Sequence, residues 1–226
     1  MLYKGIDLSK WQKAGSVNFK ELKRLGYEFV ILRAGYGKHL GQKDIAFEKH
    51  YEDAISAGLK VGAYHYSYAT SVEEALQEAE CFLTWIKNKT LEYPVAFDIE
   101  DSCQKNLSVK ERTDIALAFM DKVEKAGYYT LLYSSASWLG GMLDMEKLKR
   151  FDTWVACYTK NIKNIRNYYK GDYGIWQHTA TAVLPTVHLG FLDENYSYKN
   201  YAKIIKKAKL NRLPPPKNIE IAEKWQ

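Results

Sequence analysis

The architecture of this chain is predicted most directly from the segment Tyr93-Pro94-Val95-Ala96-Phe97-Asp98-Ile99-Glu100-Asp101. An apolar run of strand type ends there in three carboxylates, and Pro94 stands near its start, where a strand tolerates proline. Side chains two residues apart on a strand point to the same face, so Asp98 and Glu100 should face one way and Ile99 the other. Two carboxylates at a strand end suit glycoside hydrolysis, which needs a protonated acid and an anion opposite a developing oxocarbenium ion. The alternative is a polar strand end that runs into a solvated loop.

Strand-like and helix-like segments alternate on both sides of this segment. Five strands are predicted first, at residues 2–8, 28–35, 60–68, 93–101 and 128–134. Each is followed by a helix, at residues 17–25, 45–57, 71–89, 108–126 and 145–151. The rhythm then changes to three strands without convincing helices between them, at residues 153–158, 173–178 and 187–193, before a last helix at 197–209.

This order of elements predicts an α/β fold. Alternating strands and helices form a parallel sheet with right-handed crossovers. Eight strands in about 200 residues point to a closed, irregular TIM-like barrel of the form (β/α)5(β)3, with eight mostly parallel strands. In such barrels the C-terminal ends of the strands build the site, and Asp7, Asp98, Glu100 and Asp193 all fall at predicted strand C-termini. That coincidence is stronger evidence for a site than any single acid.

Composition is that of an ordinary globular chain with many aromatic residues. The 226 residues fit one barrel-sized domain or two small ones, and 46% are hydrophobic. The 18 Tyr and 6 Trp suit a groove that stacks on sugar rings, although a Tyr-rich core would give the same count. The net charge of +6 favours anionic polymers, so anionic wall polymers are possible partners. No nucleic-acid module is recognisable, and we expect no nucleic-acid partner.

Several other classes are not indicated. The three Cys residues lack C-x-x-C spacing, and the His residues form no H-x-x-H or H-E-x-x-H motif, so we predict no metal and no cofactor. Strand-like sequence begins at residue 2 without a preceding apolar signal region, and no apolar run is long enough for a membrane span. We therefore expect synthesis in the cytoplasm without a signal peptide and no membrane insertion.

Seven segments, taken in order, resemble the glycoside hydrolase family 25 lysozymes, which include phage endolysins and secreted muramidases. The resemblance covers roughly residues 3–205. Each segment alone is weak, but the ordered set is specific. The segments are Gly5-Ile6-Asp7-Leu8-Ser9-Lys10-Trp11-Gln12, Ala57-Gly58-Leu59-Lys60-Val61-Gly62-Ala63-Tyr64-His65-Tyr66, Pro94-Val95-Ala96-Phe97-Asp98-Ile99-Glu100, Leu132-Tyr133-Ser134, Trp154-Val155-Ala156-Cys157-Tyr158, Ile175-Trp176-Gln177 and Leu192-Asp193-Glu194-Asn195.

The resemblance implies a β-1,4-N-acetylmuramidase that cuts bacterial peptidoglycan between N-acetylmuramic acid and N-acetylglucosamine with net retention. Glu100 then matches the proton donor, and Asp98 matches a second carboxylate that assists the acetamido group of the substrate. Asp7 and Asp193 match further acids of the groove. Four residues on matching strand ends either contact the sugar or belong to the barrel core: Tyr64, Tyr133, Tyr158 and Gln177.

Two expectations concern domains and location. We divide the chain into a catalytic barrel at residues 1–210 and a Pro-containing tail or linker stump at 211–226. The apparent lack of a signal peptide favours a phage or prophage endolysin that reaches the cell wall after holin-type release. Two alternatives stay open: a chitinase-like barrel glycosidase, whose D-x-x-D-x-D-x-E motif is absent, and an inactive sugar-binding barrel.

Overall fold

Eight strands close into a barrel in the computed structural model, which describes residues 2–213. They pair in chain order, and the last strand returns to the first. Neighbouring strands from β1 to β7 are parallel, whereas β8 is antiparallel to both β7 and β1. The predicted barrel of mostly parallel strands is confirmed. The strands are β1 (Tyr3–Leu8), β2 (Phe29–Tyr36), β3 (Lys60–Tyr66), β4 (Val95–Asp98), β5 (Thr130–Ser135), β6 (Asp152–Ala156), β7 (Ile175–Val183) and β8 (Phe191–Ser197).

Helices connect the first strands and cover the outside of the barrel. They are α1 (Phe19–Arg24), α2 (Phe47–Ser56), α3 (Val72–Ile86), α4 (Val109–Lys125), α5 (Ala136–Gly141), α6 (Met145–Leu148) and α7 (Tyr201–Ala208). Short 3-10 helices lie at Leu40–Gln42, Ser102–Gln104 and Ile162–Asn167. Within residues 2–213, no helix combines the length and the hydropathy that a membrane span requires.

Polar side chains fix where the helices begin. At the start of α4, Ser108 and Glu111 form a capping box, in which each side chain accepts a hydrogen bond from the other residue's backbone N–H. The helix predicted at 197–209 begins later, at Tyr201, because Asn200 caps it and Ser197 is the last residue of β8. Helix α5 was not predicted, since its short Ala136–Gly141 sequence contains two glycines, which are poor helix formers.

Alternation along the strands creates two apolar layers. On β2, Val30 and Leu32 belong to the layer between the barrel and the helices, whereas Phe29 and Ile31 belong to the layer inside the barrel. Glycine at position 5 leaves the space that the Phe29 ring fills, because a Cβ there would overlap the ring. The inner layer thus packs the lumen of the barrel and leaves the C-terminal ends of the parallel strands for polar residues.

The last strand differs from the prediction in position and direction. The prediction of a strand at 187–193 is wrong, because Val187 lies in a turn where its N–H donates to the Leu184 carbonyl, and β8 begins at Phe191. Asp193 is therefore near the N-terminal end of its strand, not the C-terminal end. It still reaches the same rim of the barrel as the other acids, because β8 runs antiparallel to β1 and pairs Asp193 with Asp7.

Asn211 fastens the chain after α7 to the bottom of the barrel. Its buried side chain accepts a hydrogen bond from the Tyr129 N–H at 2.7 Å and donates to the carbonyls of Leu91 and Tyr93 at 3.0 and 2.8 Å. The predicted division at residue 210 stays a prediction, and most of the predicted tail, residues 214–226, lies outside the described residues.

We expect Asn211→Ala to lower the free energy of unfolding by about 3 kcal/mol, because it removes the partners of two buried carbonyls and one partly buried N–H. Denaturant unfolding of the full chain measures this change. Asn167→Ala is the matched control, since Asn167 is exposed, and it should change stability by less than about 0.5 kcal/mol. Equal stability of the two variants would show that the Asn211 contacts do not stabilise the attachment of this segment to the barrel.

Candidate active site

All eight predicted site residues line one cavity at the C-terminal rim of the parallel strands. Its volume is about 180 Å³, and Arg33 and Trp154 are among the other residues that line it. The structure therefore brings together residues from seven strands or the segments that follow them, while their chemical roles stay predictions. The eight residues are Asp7, Tyr64, Asp98, Glu100, Tyr133, Tyr158, Gln177 and Asp193.

Asp98 and Glu100 reach the cavity from the end of β4. The strand ends at Asp98, three residues before the predicted end at residue 101, yet both acids line the cavity while Ile99 packs in the outer apolar layer. Neighbouring β5 holds this extension, because the Tyr133 carbonyl accepts from the Ile99 N–H and the Ser134 hydroxyl donates to the Ile99 carbonyl at 2.6 Å. The predicted opposite orientation of Ile99 is thus observed.

The two acids differ in their surroundings. Burial, followed by the negative charges of Asp193 and Asp101, raises the pKa of Glu100 to about 7. Asp98 is more deeply buried, and its Oδ1 has no hydrogen-bond partner among residues 2–213. Burial and the charges of Glu100 and Asp7 raise the pKa of Asp98 well above its usual range, while the Arg33 guanidinium opposes that rise. Glu100 can therefore carry a proton near neutral pH.

Asp7 and Asp193 form a second pair of acids across β1 and β8. The buried Asp7 Oδ2 accepts hydrogen bonds from Gln177 Nε2 at 2.8 Å and from Asn195 Nδ2 at 2.7 Å. Burial and the nearby Asp193 charge raise the pKa of Asp7 well above its usual range, and burial raises the pKa of Asp193 to about 6. Burial and the neighbouring Asp193 charge therefore favour the protonated form of Asp7.

We expect Asp193→Asn to move the basic limb of the pH profile of kcat/KM to lower pH. The Asp193 charge helps to raise the pKa of Glu100 to about 7, so its removal lowers that pKa and Glu100 loses its proton at lower pH. Hydrolysis rates measured over about two pH units on each side of pH 7 test the shift. The exposed Asp172→Asn is the control and should leave the limb in place. An unmoved limb in Asp193→Asn would contradict the coupling.

Gln177 connects the acids to two tyrosines. Its Oε1 accepts hydrogen bonds from the hydroxyls of Tyr133 at 2.9 Å and Tyr158 at 3.1 Å, while its Nε2 donates to Asp7. Tyr133 and Gln177 are buried, whereas Tyr158 is largely exposed. These residues were predicted either to contact the sugar or to belong to the barrel core. The buried Tyr133 and Gln177 fit the wall of the site, whereas the exposed Tyr158 fits contact with a ligand.

Several residues of the site were missed by the sequence interpretation. Arg33 and Tyr66 line the cavity, and Trp154 Nε1 donates at 2.8 Å to the side chain of Asn195, which in turn holds Asp7. One signal for Arg33 was available: it is the charged residue of an otherwise uncharged strand, two positions after the inward-facing Ile31. The Asn195 contact depends on the direction of β8, which the pattern of residues did not reveal.

Two further cavities extend the central one into a groove. We call the first the neutral arm; it measures about 400 Å³, shares Glu100 and Tyr158 with the centre, and is also lined by Ser135, Ser137 and Tyr168. The second is the aromatic arm, of about 430 Å³, lined by Lys10, Trp11, Arg33, Tyr36, Tyr66 and Tyr68. The Trp11 side chain is 78% exposed. The groove can therefore accommodate an elongated molecule with the acids at its middle.

Comparison with known proteins gives consistent results. The sequence model of the glycosyl hydrolases family 25 matches residues 6–187. An autolytic lysozyme of Clostridium acetobutylicum is 30% identical over 168 residues, which are 74% of this chain and 49% of that protein, so the chain spans about half the length of this relative. The crystal structure of the CTP1L endolysin superposes with a TM-score of 0.75 at 26% identity, over 91% of this chain and 70% of that one. The modular autolysin LytC from Streptococcus pneumoniae was solved in complex with a synthetic peptidoglycan ligand. It superposes with a TM-score of 0.73 at 27% identity, over 87% of this chain and 47% of that one.

Proposed function

This chain belongs to the glycosyl hydrolases family 25, and we propose that it hydrolyses bacterial peptidoglycan as a β-1,4-N-acetylmuramidase. The observation that carries the proposal is Glu100, a carboxyl group whose pKa is raised to about 7 and which stands where the central cavity opens into the neutral arm. A bound glycan chain would place one glycosidic oxygen beside this acid, with a sugar on each side. Peptidoglycan is also the ligand named for the similar autolysin LytC.

Glu100 acts first as the general acid. It donates its proton to the glycosidic oxygen, which leaves as the hydroxyl group of the released N-acetylglucosamine end. The bond between this oxygen and the anomeric carbon breaks as positive charge develops on the ring. Glu100 is then a carboxylate, and it takes a proton from the water molecule that completes the reaction.

Asp98 acts on the other side of the reacting carbon. In its anionic form it accepts a hydrogen bond from the acetamido N–H of the muramyl residue, and the acetamido oxygen attacks the anomeric carbon from the face opposite to the leaving group. Water later attacks from the first face, so two inversions give net retention. Asp98 Oδ1 is buried and has no hydrogen-bond partner in the described part of the chain, which supports this role, since a substrate N–H would supply a partner.

The other members of the site shape the cavity. Asp7, held by Gln177 and Asn195, is the strand partner of Asp193, and the Asp193 charge favours the protonated form of Glu100. Tyr158 reaches out of the wall and suits contact with a sugar ring. We place the site of action at the bacterial cell wall, with peptidoglycan as the partner.

Mass spectrometry of purified peptidoglycan after digestion tests the proposal. Products that end in reducing N-acetylmuramic acid are expected. Products that end in reducing N-acetylglucosamine would instead show a glucosaminidase on the same barrel. Binding without any cleavage would contradict hydrolysis and favour a wall-binding protein.

A further inference from the structure

The aromatic arm contains a buried cation without a complete set of partners. Arg33 is 9% exposed, and its Nε donates to Asp44 Oδ2 at 2.7 Å. Its Nη2 is buried and has no hydrogen-bond partner among residues 2–213. Arg33 lines both the central cavity and the aromatic arm. A buried guanidinium nitrogen without a partner costs free energy, which a ligand with an acceptor oxygen would recover.

A second cation lies in the same arm. Lys10 Nζ lies 5.4 Å from the centre of the Tyr36 ring, and Arg33 Cζ lies 5.6 Å from the same centre, so the two cations meet at one ring. Asp44 positions both residues, because its Oδ2 also accepts a hydrogen bond from the Lys10 backbone N–H at 2.9 Å. The buried carboxylate of Asp44 thus holds both the Arg33 side chain and the Lys10 backbone in place.

The charges differ between the two arms of the groove. The six residues that line the aromatic arm include two cations and no acid, whereas the neutral arm has Glu100 as its one charged residue. A glycan that fills the whole groove would thus meet acids at its middle and positive charge on one side. Positive charge beside aromatic rings suits a sugar that carries an anionic substituent.

We propose that Arg33 and Lys10 form an anion subsite, which binds a carboxylate carried by the muramyl residue or its stem peptide. This inference rests on the proposed function and adds to it a determinant of substrate choice. Two carboxylates close to the glycan have this chemistry, and we assign the subsite to one of them: the lactyl carboxylate of a muramyl residue without peptide, or the free α-carboxylate of the stem-peptide glutamate. Amidation of either group removes the charge and replaces one acceptor oxygen by an amide nitrogen, which cannot accept a hydrogen bond from a cation.

The test uses two pairs of soluble glycan oligomers that differ in one group. In the first pair the glutamate of the stem peptide carries a carboxylate or a carboxamide. In the second, peptide-free pair the lactyl group carries a carboxylate or a carboxamide. Calorimetry measures binding to the full chain with Glu100→Gln, which prevents turnover, and the chain with native Glu100 is assayed for cleavage. We expect the carboxylate of one pair to bind about tenfold more tightly than its amide, and that pair identifies the group that is bound.

Variants at Lys10 assign the preference to the subsite. Lys10→Met in the same background should make the affinities of carboxylate and amide nearly equal, and Lys10→Arg should restore the preference because it restores the charge. Lys13→Met is the matched control, since Lys13 is exposed and does not line the groove, and it should keep the preference. Arg33→Lys should weaken the preference as well, but its contact with buried Asp44 makes the Lys10 variants the decisive ones.

The outcomes separate this inference from the proposed function. Equal affinities within both pairs, or a preference that survives Lys10→Met, would overturn the anion subsite even if both oligomers are cleaved. A preference that depends on Lys10 would support the subsite even if neither oligomer is cleaved. The lack of cleavage would then contradict only the proposed hydrolase activity.

Discussion

Glu100→Gln is expected to lower kcat for peptidoglycan hydrolysis by about 10³-fold. The amide has the shape of the carboxyl group but cannot donate an acidic proton to the glycosidic oxygen. Because the defect lies in protonation of the leaving group, an aryl glycoside of the same sugar, whose leaving group needs little protonation, should recover much of the lost rate. Turnover of both substrates by the variant measures the effect, and near wild-type lysis of cell walls would show that Glu100 is not the acid.

Stability provides a control for this variant. Folding raises the pKa of Glu100 from its ordinary 4.5 to about 7, so the carboxyl group makes the fold less stable as pH rises through that window. Glu100→Gln removes this cost, and its melting temperature at pH above 7 should equal or exceed that of the native chain. Glu73→Gln, on the exposed side of α3, should leave activity unchanged. A variant that melts much lower would mean that its lost activity reflects unfolding.

Asp98→Asn should lower kcat by about 10²-fold, because it removes the anion that stabilises the charge developing at the reacting sugar. This defect does not concern the leaving group, so the aryl glycoside that rescues Glu100→Gln should not rescue Asp98→Asn. The comparison of the two variants on both substrates therefore tests the two roles separately. Rescue of Asp98→Asn by the activated substrate would contradict its proposed role.

Much of the barrel was predictable from residue patterns. The apolar positions of β2 and β4 alternate between the two layers, and Ser71 and Ser108 cap α3 and α4 where the pattern indicates. These features depend on neighbours in the chain. The direction of β8 depends instead on pairing with β1 and β7, distant in sequence, and it was not predicted.

The site residues that could be predicted from the sequence are those whose type and position indicate a chemical role. Acids at strand ends are conspicuous, and all four line the central cavity. Asp193 was included by a wrong argument, since the strand assigned to it was misplaced by four residues, as 187–193 against Phe191–Ser197. The register of Arg33 with the inward-facing Ile31 indicates that it points into the barrel, but not which other residues it meets there. The structure adds that its Nη2 has no hydrogen-bond partner among residues 2–213.

The pairing of β1 with β8 also determines when the enzyme becomes complete during its synthesis. Asn195 and the Asp7 that it holds are 188 residues apart in the chain, so the barrel closes only after a long loop has been brought together. While β8 has not yet emerged from the ribosome, Asp193 and Asn195 are absent from the barrel, and β1 lacks its neighbour on one side. Closure of the barrel and assembly of the acid cluster are thus the same event. Under the proposed function, we therefore expect partly synthesised chains not to hydrolyse peptidoglycan, because β8 has not yet joined the barrel.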